Sequence, residues 1–426
     1  MVRLINYKKV INLISSFALI FLLFNQQTMP NVSIRTQKLT ASPIRKFFPL
    51  VKQAEKKGTE VYKLNVGDPD IKPPASFISE IKKYKKPNIG YAPSPGIAKH
   101  VDAWVSYYSK FGIKLKPENI TPTVGCAEAM LLSLIAVADF RDEILVFEPL
   151  YTSYKGFAQM AGIKLVPVTL KVEDNFALPL QKEIEKKITK KTKAILIINP
   201  NNPTGTVLSK KEIELVINIA MKHNLFIISD ETYREIIFEG KPQSLLNFRK
   251  AKDRLIVLDS ASKRFSMPGA RVGCIVSTNK DISWSILKLA MIRLSVPTLE
   301  QYGLIEILKN PISYTKKLTA EYKKRCEIVY NALSKIPGVE CKKPKGAFYI
   351  MAKLPVKDAE DFIKFMLEKF SFNGKTVLVT PAAEFYITKG LAKDEIRIAY
   401  VLNTAALKEA MAVFEKGLKS YLSREN

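Results

Sequence analysis

Histidine is scarce in this chain of 426 residues, and its four cysteines are widely spaced. The two histidines, His100 and His223, fall in predicted helical stretches and are expected at a surface or an element boundary, which disfavours a histidine-based nucleophilic triad. No C-x-x-C pair occurs, so a zinc cluster or a disulfide framework is not expected and reduced thiols are favoured. These shortages exclude several common catalytic chemistries.

Glycine-rich nucleotide motifs are also missing. No G-x-G-x-x-G follows a predicted strand. The segment Gly374–Thr376 only resembles the end of a Walker A loop, because Lys369 stands where the first glycine should be. Neither common phosphate-binding loop is therefore predicted.

Acidic residues are outnumbered: 67 lysines and arginines stand against 40 aspartates and glutamates, a formal net charge of +27. Nucleic-acid binding would explain such a charge. The basic residues are, however, spread over ordinary amphipathic segments such as the predicted helix Gln181–Lys191, with no arginine-rich arm. A lysine-rich genomic composition explains the charge more simply, and no nucleic-acid partner is expected.

The long apolar run of the amino end, Val10–Phe24, has 15 residues, fewer than the about 20 that span a membrane. No A-x-A cleavage site follows it. Three interpretations of residues 1–28 stay open: translation that starts at Met29, a membrane anchor, or an export signal. We favour the first, and a cytoplasmic protein, because nothing downstream is typical of secretion.

Apolar strand-like runs alternate with helical stretches from Val61 onward, which predicts an α/β fold with a mostly parallel sheet covered by helices on both faces. Ser209–Asn224 is predicted as a crossover helix because Ser209 and Glu212 form a capping box. The predicted strands are Glu143–Phe147, Lys193–Ile198, Leu225–Ser229, Arg254–Leu258 and Gly273–Val276.

The carboxyl-terminal region mixes helices with short strand-like runs, which predicts a smaller α+β domain. These runs are Ala347–Met351, Lys375–Val379 and Glu395–Val401. We expect an amino-terminal arm and part of the small domain at residues 29–71, a large domain at residues 72–298, and the rest of the small domain at residues 299–426.

Polar residues gather where three predicted strands end. The segments are Asn199–Gly205, Asp230–Tyr233 and Asp259–Phe265, the last followed by Met267–Arg271. In open α/β sheets ligands bind beyond the carboxyl ends of the strands, so we expect one crevice to contain all of these segments. Taken singly, each segment is also ordinary turn or helix-cap chemistry.

Together, the segments N-P-N-N-P-T-G, S-D-E-T-Y and S-A-S-K-R-F-S-M-P-G-A-R resemble the class I and II aminotransferases, fold-type I enzymes that depend on pyridoxal 5′-phosphate. The resemblance runs from about Ala41 to the carboxyl end and includes Leu64–Asp70 and Glu395–Tyr400. It implies a fold-type I transferase with a large cofactor-binding domain. It also implies ping-pong transfer of an amino group between an L-amino acid and a 2-oxo acid, in amino acid metabolism and biosynthesis.

The resemblance implies a role for each residue at a matching family position. Lys263 would form the Schiff base with the cofactor and then carry the proton of the substrate Cα. Asp230 would keep the pyridine nitrogen protonated, so that the ring accepts electrons. Asn202 and Tyr233 would hydrogen-bond the 3′-oxygen, and Tyr151 would stack on the ring.

The phosphate group would lie in a cup of backbone amides, hydroxyls and one cation. Cys126 replaces a smaller residue that is more usual in the family and is expected to contribute its amide, although a thiol at a helix start could have a lowered pKa. Tyr91 matches the tyrosine that reaches the phosphate of the neighbouring subunit, which implies a homodimer. The implied cup residues are Gly125, Cys126, Ala127, Ser260, Ser262 and Arg271.

Arg397 resembles the arginine that binds the substrate α-carboxylate in a two-pronged pair, beside Asn202 and the Gly67 backbone. The segment Ala41–Lys46 is similar to that of bacterial branches named aspartate aminotransferase, which makes aspartate and 2-oxoglutarate candidate substrates and leaves aromatic amino acids, alanine and methionine open. A dicarboxylic substrate needs a second cation. The arginines that the sequence leaves open for it are Arg35, Arg45 and Arg293.

Two other functions stay open. A β-lyase, a decarboxylase or a ring-forming synthase has the same cofactor and residues, because fold and cofactor do not determine the reaction. A pyridoxal-binding transcription regulator would explain the basic charge, but residues 1–40 are too short for a helix-turn-helix domain.

Overall fold

The computed structural model describes residues 31–37, 39 and 43–425. The described residues up to Leu39 form one unit, which contains helix α1 (Ile34–Gln37), and those from residue 43 onward form a second unit. The interpretations of residues 1–28 lie outside the described residues. A search of the described helices for one long and apolar enough to cross a membrane finds none.

The second unit alternates strands and helices over most of its length. Its helices are α2 (Phe48–Lys56), α3 (Ser76–Lys82), α4 (Ala98–Ser109), α5 (Gly125–Val137), α6 (Ser153–Ala161), α7 (Gln181–Glu185), α8 (Lys210–Lys222), α9 (Ala261–Arg264), α10 (Lys280–Arg293), α11 (Thr298–Lys309), α12 (Ile312–Leu333), α13 (Ala359–Glu368) and α14 (Thr404–Glu425). Its strands are β1 (Glu60–Lys63), β2 (Ile120–Thr123), β3 (Glu143–Glu148), β4 (Lys164–Thr169), β5 (Thr192–Ile198), β6 (Phe226–Asp230), β7 (Leu255–Ser260), β8 (Gly273–Val276), β9 (Glu340–Cys341), β10 (Tyr349–Lys353), β11 (Lys375–Leu378), β12 (Thr380–Pro381) and β13 (Glu395–Ala399).

A seven-stranded sheet in the order β2-β8-β7-β6-β5-β3-β4 forms the centre of the unit. Its neighbouring strands are parallel except that β8 runs antiparallel to both β2 and β7. Strand β3 is buried throughout: Ile144 and Val146 join the apolar core on one face, and Leu145 and Phe147 join the core on the other. The predicted mostly parallel sheet covered on both faces is thus confirmed.

Two smaller sheets complete the unit. Strands β12, β13, β10 and β9 form an antiparallel sheet in that order, with Tyr349 opposite Ala399. Strand β1 pairs in parallel with β11, which joins the segment before the large sheet to the segment after it. The domain boundaries given above stay a prediction.

Two local expectations are wrong. Helix α7 ends at Glu185, well before Lys191, and the Thr189 hydroxyl donates to Glu143 (2.6 Å) and accepts from the Lys191 amide (3.1 Å), a local turn that competes with the helix. His100 is fully buried rather than at a surface: its Nε2 accepts from the indole of Trp104 (3.1 Å), and burial lowers its pKa to about 4.

Candidate functional site

A cavity of about 600 Å³ opens beyond the carboxyl ends of β5, β6 and β7, where the strand-end residues Ile198, Asp230 and Ser260 line it. All but two of the residues assigned from the sequence to the cofactor or to the substrate α-carboxylate lie in its wall. These are Gly67, Cys126, Ala127, Tyr151, Asn202, Asp230, Tyr233, Ser260, Ser262, Lys263, Arg271 and Arg397.

Gly125 and Tyr91 are the two that do not line this cavity. Gly125 has a φ of +70° and lies behind the wall, where a Cβ would come within 2.6 Å of the Arg271 guanidinium, so only glycine fits there. The Tyr91 side chain is 84% exposed and borders a separate cavity of about 390 Å³ together with Tyr84 and Tyr302.

The Lys263 side chain projects into the cavity from α9, which directly follows β7. Its Nζ donates to the Gly67 carbonyl at 2.8 Å. Desolvation lowers its pKa to about 8; the charge of Asp68 opposes this shift, and the cations Arg397 and Arg271 add to it. A substantial fraction of this amine is therefore neutral near neutral pH, as a nucleophile requires.

Asp230 presents a buried carboxylate at the end of β6. Its Oδ2 accepts from the Tyr154 hydroxyl at 2.7 Å, and its Oδ1 accepts from the Thr232 amide at 3.0 Å. Both donors are neutral, so neither of these partners is a cation that would compete with a cationic group bound in the cavity. Tyr154 was not predicted from the sequence. It follows Tyr151 by three residues, and the two rings meet edge to face.

Tyr349 is a second cavity residue that was not predicted from the sequence. Its hydroxyl lies 3.0 Å from that of Tyr233, and burial raises its pKa to about 12. A Cβ at Gly67 would collide with the same hydroxyl, so glycine is required there to admit the tyrosine. Tyr349 lies in a run of apolar strand residues. Nothing in that run distinguishes a tyrosine whose hydroxyl faces a site from one that packs in the core.

Arg397 enters the cavity from β13 and is almost fully buried. Its guanidinium donates to the Asn202 side chain (Nη1, 3.1 Å) and to the Asn65 carbonyl, and it lies 4.6 Å from the ring centre of Tyr349. Its Nε has no hydrogen-bond partner among the described residues. Burial lowers its pKa because the charged guanidinium loses water, and an anion beside its remaining donors would compensate that loss.

Hydroxyls, a guanidinium and a helix start lie together on the opposite wall. The Ser260 and Ser262 hydroxyls are 2.7 Å apart, and Arg271 donates to the carbonyls of Pro268 (2.9 Å) and Val124 (3.3 Å). Helix α5 begins at Gly125, and the amides of a first helical turn have no partner inside the helix. This wall can hold a phosphate.

Cys126 lies in that first turn, and the thiol is not activated there. Burial and the nearby charge of Asp230 raise its pKa well above the usual value, so the helix start does not produce a thiolate. The alternative of a lowered pKa is wrong, and the amide stays the expected contribution of this residue.

Comparison with known proteins gives concordant matches. A family model described as aminotransferase class I and II matches residues 59–414. The aspartate aminotransferase of Pyrococcus horikoshii is 32% identical over 91% of this chain and 97% of its own length. The aromatic-amino-acid aminotransferase 2 of Thermococcus litoralis is 31% identical over 91% of this chain and 98% of its own length.

Solved structures match over a similar extent. An alanine aminotransferase from Pyrococcus furiosus has a TM-score of 0.84 at 32% identity and covers 92% of this chain and 100% of its own. A double mutant of the aspartate aminotransferase of Thermus thermophilus has a TM-score of 0.84 at 25% identity, with 91% and 100% covered.

In the protein without cofactor, we expect Lys263 to react with an amine-acylating reagent with an apparent pKa of about 8. The amine is then about half neutral at pH 8, whereas an ordinary lysine with a pKa of about 10.4 is well under 1% neutral there. Peptide mass spectrometry of samples labelled across this pH range measures the rate. The exposed lysines of the same sample are the control, and a Lys263 rate that rises in parallel with theirs above about pH 9 contradicts the lowered pKa.

Proposed function

Because the chain belongs to the class I and II aminotransferases and is a pyridoxal-phosphate-dependent transferase of amino groups, we propose that the 600 Å³ cavity is its active site. The observation that carries this proposal is that three groups with different chemical roles line the same cavity. Lys263 is an amine with a lowered pKa, Asp230 is a buried carboxylate with neutral partners, and Arg397 is a buried cation with a free N–H.

The cavity fits pyridoxal phosphate. When bound, this cofactor supplies an aldehyde that condenses with amines and a protonated ring that withdraws electrons from the substrate Cα. Asp230 would accept the hydrogen bond of the ring nitrogen, and Tyr151 would lie against the ring. Asn202 and Tyr233 would bind the 3′-oxygen. The phosphate would be held by the amides of Cys126 and Ala127 and by Ser260, Ser262 and Arg271, all of which line the cavity. Gly125, at the start of the same helix, would contribute its amide from behind the wall.

Lys263 carries out the proton chemistry in this proposal. Its amine lies on the Gly67 side of the cavity, 2.8 Å from that carbonyl, and near Arg397. There the amine would take up the proton of the substrate Cα and release it again. A pKa near 8 suits both directions of this transfer, since the amine accepts and releases a proton at similar cost near neutral pH.

Arg397 would bind the substrate α-carboxylate with two parallel hydrogen bonds. Asn202, the Asn65 carbonyl and the Tyr349 ring already hold the guanidinium, so little side-chain freedom is lost on binding. The Gly67 backbone borders the same spot. The Cα of the bound amino acid is thereby held beside Lys263.

The proposed substrates are an L-amino acid and a 2-oxo acid, with aspartate and 2-oxoglutarate as the favoured pair. Relatives named aspartate aminotransferase support this choice. We also propose a cytoplasmic location, in line with four cysteines that are all unpaired.

We further propose a homodimer in which Tyr91 reaches the phosphate of the neighbouring active site. Tyr91 is highly exposed, as are the apolar side chains of Ile89 (66%) and Ile292 (82%). The Thr298 hydroxyl donates to the Gly90 carbonyl at 2.9 Å, which ties the Tyr91 loop to the start of α11. Exposed apolar side chains, here on the Tyr91 loop and near the end of α10, are typical of a subunit interface.

The first test is a half-reaction: enzyme loaded with pyridoxal phosphate receives one amino acid at a time without an acceptor. We expect the yellow colour of the bound cofactor to bleach with release of the matching 2-oxo acid, fastest for aspartate or glutamate. Lys263→Ala should lose the yellow colour and all turnover. The exposed Lys288→Ala is the control and should retain both.

Two results would contradict the proposal. Failure of the protein to bind pyridoxal phosphate would remove the site assignment. Release of ammonia, carbon dioxide or a cleaved side chain in place of the 2-oxo acid would assign the enzyme to the lyases or decarboxylases.

For the dimer, sedimentation should give twice the mass of the chain. Tyr91→Phe should weaken binding of pyridoxal phosphate several-fold, by roughly 1 kcal/mol for one hydrogen bond, while the dimer persists. Tyr84→Phe is the matched control, because its hydroxyl donates within the same loop to the Asn88 carbonyl (2.9 Å). A monomer that binds the cofactor normally, or unchanged affinity in Tyr91→Phe, would contradict the shared tyrosine.

A further inference from the structure

The cavity wall contains one cation that the proposed chemistry does not use. Its charged side chains are Arg45, Lys263, Arg271 and Arg397 against Asp68 and Asp230. Lys263, Arg271 and Arg397 hydrogen-bond to groups of the wall. The Arg45 side chain makes no hydrogen bond or ion pair to another residue between 43 and 425, and it is exposed.

Of the arginines that the sequence left open for a second carboxylate, two belong to the second unit, and only one of these lines the cavity. Arg293 pairs through Nε with Glu128 at 3.1 Å and donates through Nη2 to the Pro122 carbonyl at 3.1 Å, outside the cavity wall. Arg45 lines the wall beside Ile44.

The backbone before Arg45 is tied to the α-carboxylate site. Asn65 donates through Nδ2 to the Ile44 carbonyl at 2.7 Å, and its own carbonyl accepts from Arg397. Asn65 is almost fully buried, so this bridge lies inside the protein. It links the Arg397 guanidinium to the backbone next to Arg45, and both arginines line the same cavity, as a substrate with a carboxylate at each end requires.

We propose that Arg45 binds the distal carboxylate of a dicarboxylic substrate while Arg397 binds its α-carboxylate. This inference rests on the proposed function and names the residue that selects the substrate class. The competing charge in the wall is Asp68, which would favour a cationic side chain. The negative charge of Asp68 raises the pKa of the Lys263 amine, so Asp68 acts on Lys263 and not on the distal end of a substrate.

The test measures binding of glutarate and of butyrate, a monocarboxylate, to the loaded enzyme by calorimetry. We expect Arg45→Gln to weaken glutarate binding at least about ten-fold, the scale of one charge-assisted hydrogen bond, and to leave butyrate binding unchanged. Arg45→Lys should lose less, because the charge remains but the fork geometry does not. Arg249→Gln, at an exposed arginine outside the cavity wall, is the control and should change neither.

An unchanged ratio of glutarate to butyrate affinity in Arg45→Gln would overturn the proposal. So would a half-reaction that is fastest with a cationic amino acid and is lost in Asp68→Asn. Failure of the proposed function looks different, because it appears in the parent enzyme as absent cofactor colour or absent 2-oxo acid.

A second observation, a buried ionic cluster behind the cavity, carries an inference of its own. Its members come from α4, from the turn after β6, from β7 and from α9, and all are buried. We call this group the ionic cluster; it consists of Tyr107, Tyr108, Glu231, Arg234, Glu235, Asp259 and Arg264.

The ionic cluster is closely paired throughout. Arg234 contacts Glu231 at 3.0 Å and Glu235 at 3.1 Å, and Arg264 contacts Glu235 at 3.1 Å and also Asp259. The Tyr108 hydroxyl donates to Asp259 at 2.6 Å. Loss of one partner would leave an uncompensated charge in the core, which is strongly unfavourable.

Three members of the ionic cluster are sequence neighbours of three cavity residues. Glu231 follows Asp230, Asp259 precedes Ser260, and Arg264 follows Lys263. A shift of any one of these segments would therefore separate a buried ion pair.

The geometry points to the ionic cluster as a positioning device that fixes Asp230, Ser260 and Lys263 relative to one another. Its members are positioning residues, since they line no part of the cavity.

The test compares Tyr108→Phe with Tyr62→Phe. Each change removes a tyrosine-to-carboxylate hydrogen bond. Tyr62 lies away from the cavity, where its hydroxyl donates to Glu409 (2.5 Å) and accepts from Lys375 (3.2 Å). We expect Tyr108→Phe to weaken pyridoxal phosphate binding about ten-fold. We also expect the pH midpoint of Lys263 labelling to move upward, toward the value of a hydrated lysine.

Tyr62→Phe should lower the thermal midpoint to a similar extent without changing either quantity. A Tyr108→Phe enzyme that loses thermal stability but retains parent cofactor affinity and labelling midpoint would overturn the positioning role.

Discussion

Charged groups that are buried at the carboxyl edge of the seven-stranded sheet must be paired or hydrogen-bonded. This requirement determines how the cavity and the ionic cluster behind it are arranged. Asp230 accepts hydrogen bonds from Tyr154 and a backbone amide, and Arg397 donates to Asn202 and Asn65 while its Nε stays available for an anion. Behind them the carboxylates and guanidinium groups of the ionic cluster pair with one another. The reacting groups are therefore held before any ligand arrives, which is the condition for precise chemistry on a small substrate.

The sheets divide this task between them. The large sheet ends in Asp230 and Ser260, and α9 presents Lys263 directly after β7. The antiparallel sheet brings Arg397 on β13 and Tyr349 on β10. Asn65, which follows β1, links the Arg397 guanidinium to the backbone before Arg45. A cavity between these parts has a wall for a phosphate and a wall for carboxylates.

Five of the seven strands of the large sheet could be predicted closely because they are apolar runs, and their boundaries differ by at most two residues. Strands β2 and β4, each interrupted by a proline, were not predicted. The predicted family, fold class and aminotransferase function are confirmed. Predictions failed where a tertiary partner decided the outcome. His100 is buried because Trp104 and Gln301 satisfy its ring, and Gln181–Lys191 is shortened by the turn at Thr189.

The missed site residues have the same explanation. Tyr154 and Tyr349 look like core aromatics in the sequence, and only the packing of α6 against the sheet and of β10 beside β13 brings their hydroxyls to Asp230 and Tyr233. At Cys126 the local sequence signal was misleading. A position at a helix start predicts a lowered pKa of the thiol, but burial raises that pKa.

The sequence by itself determined the identity and order of the reactive groups, since the residues that carry them stand in short segments at strand ends. Tertiary structure decided which of these groups face one another and how far each is desolvated. It also decided that Arg45, and not Arg293, lines the cavity. The physical reason is that hydrogen bonds, ion pairs and dielectric surroundings depend on distances across the fold, and these distances are set by packing between segments far apart in the chain.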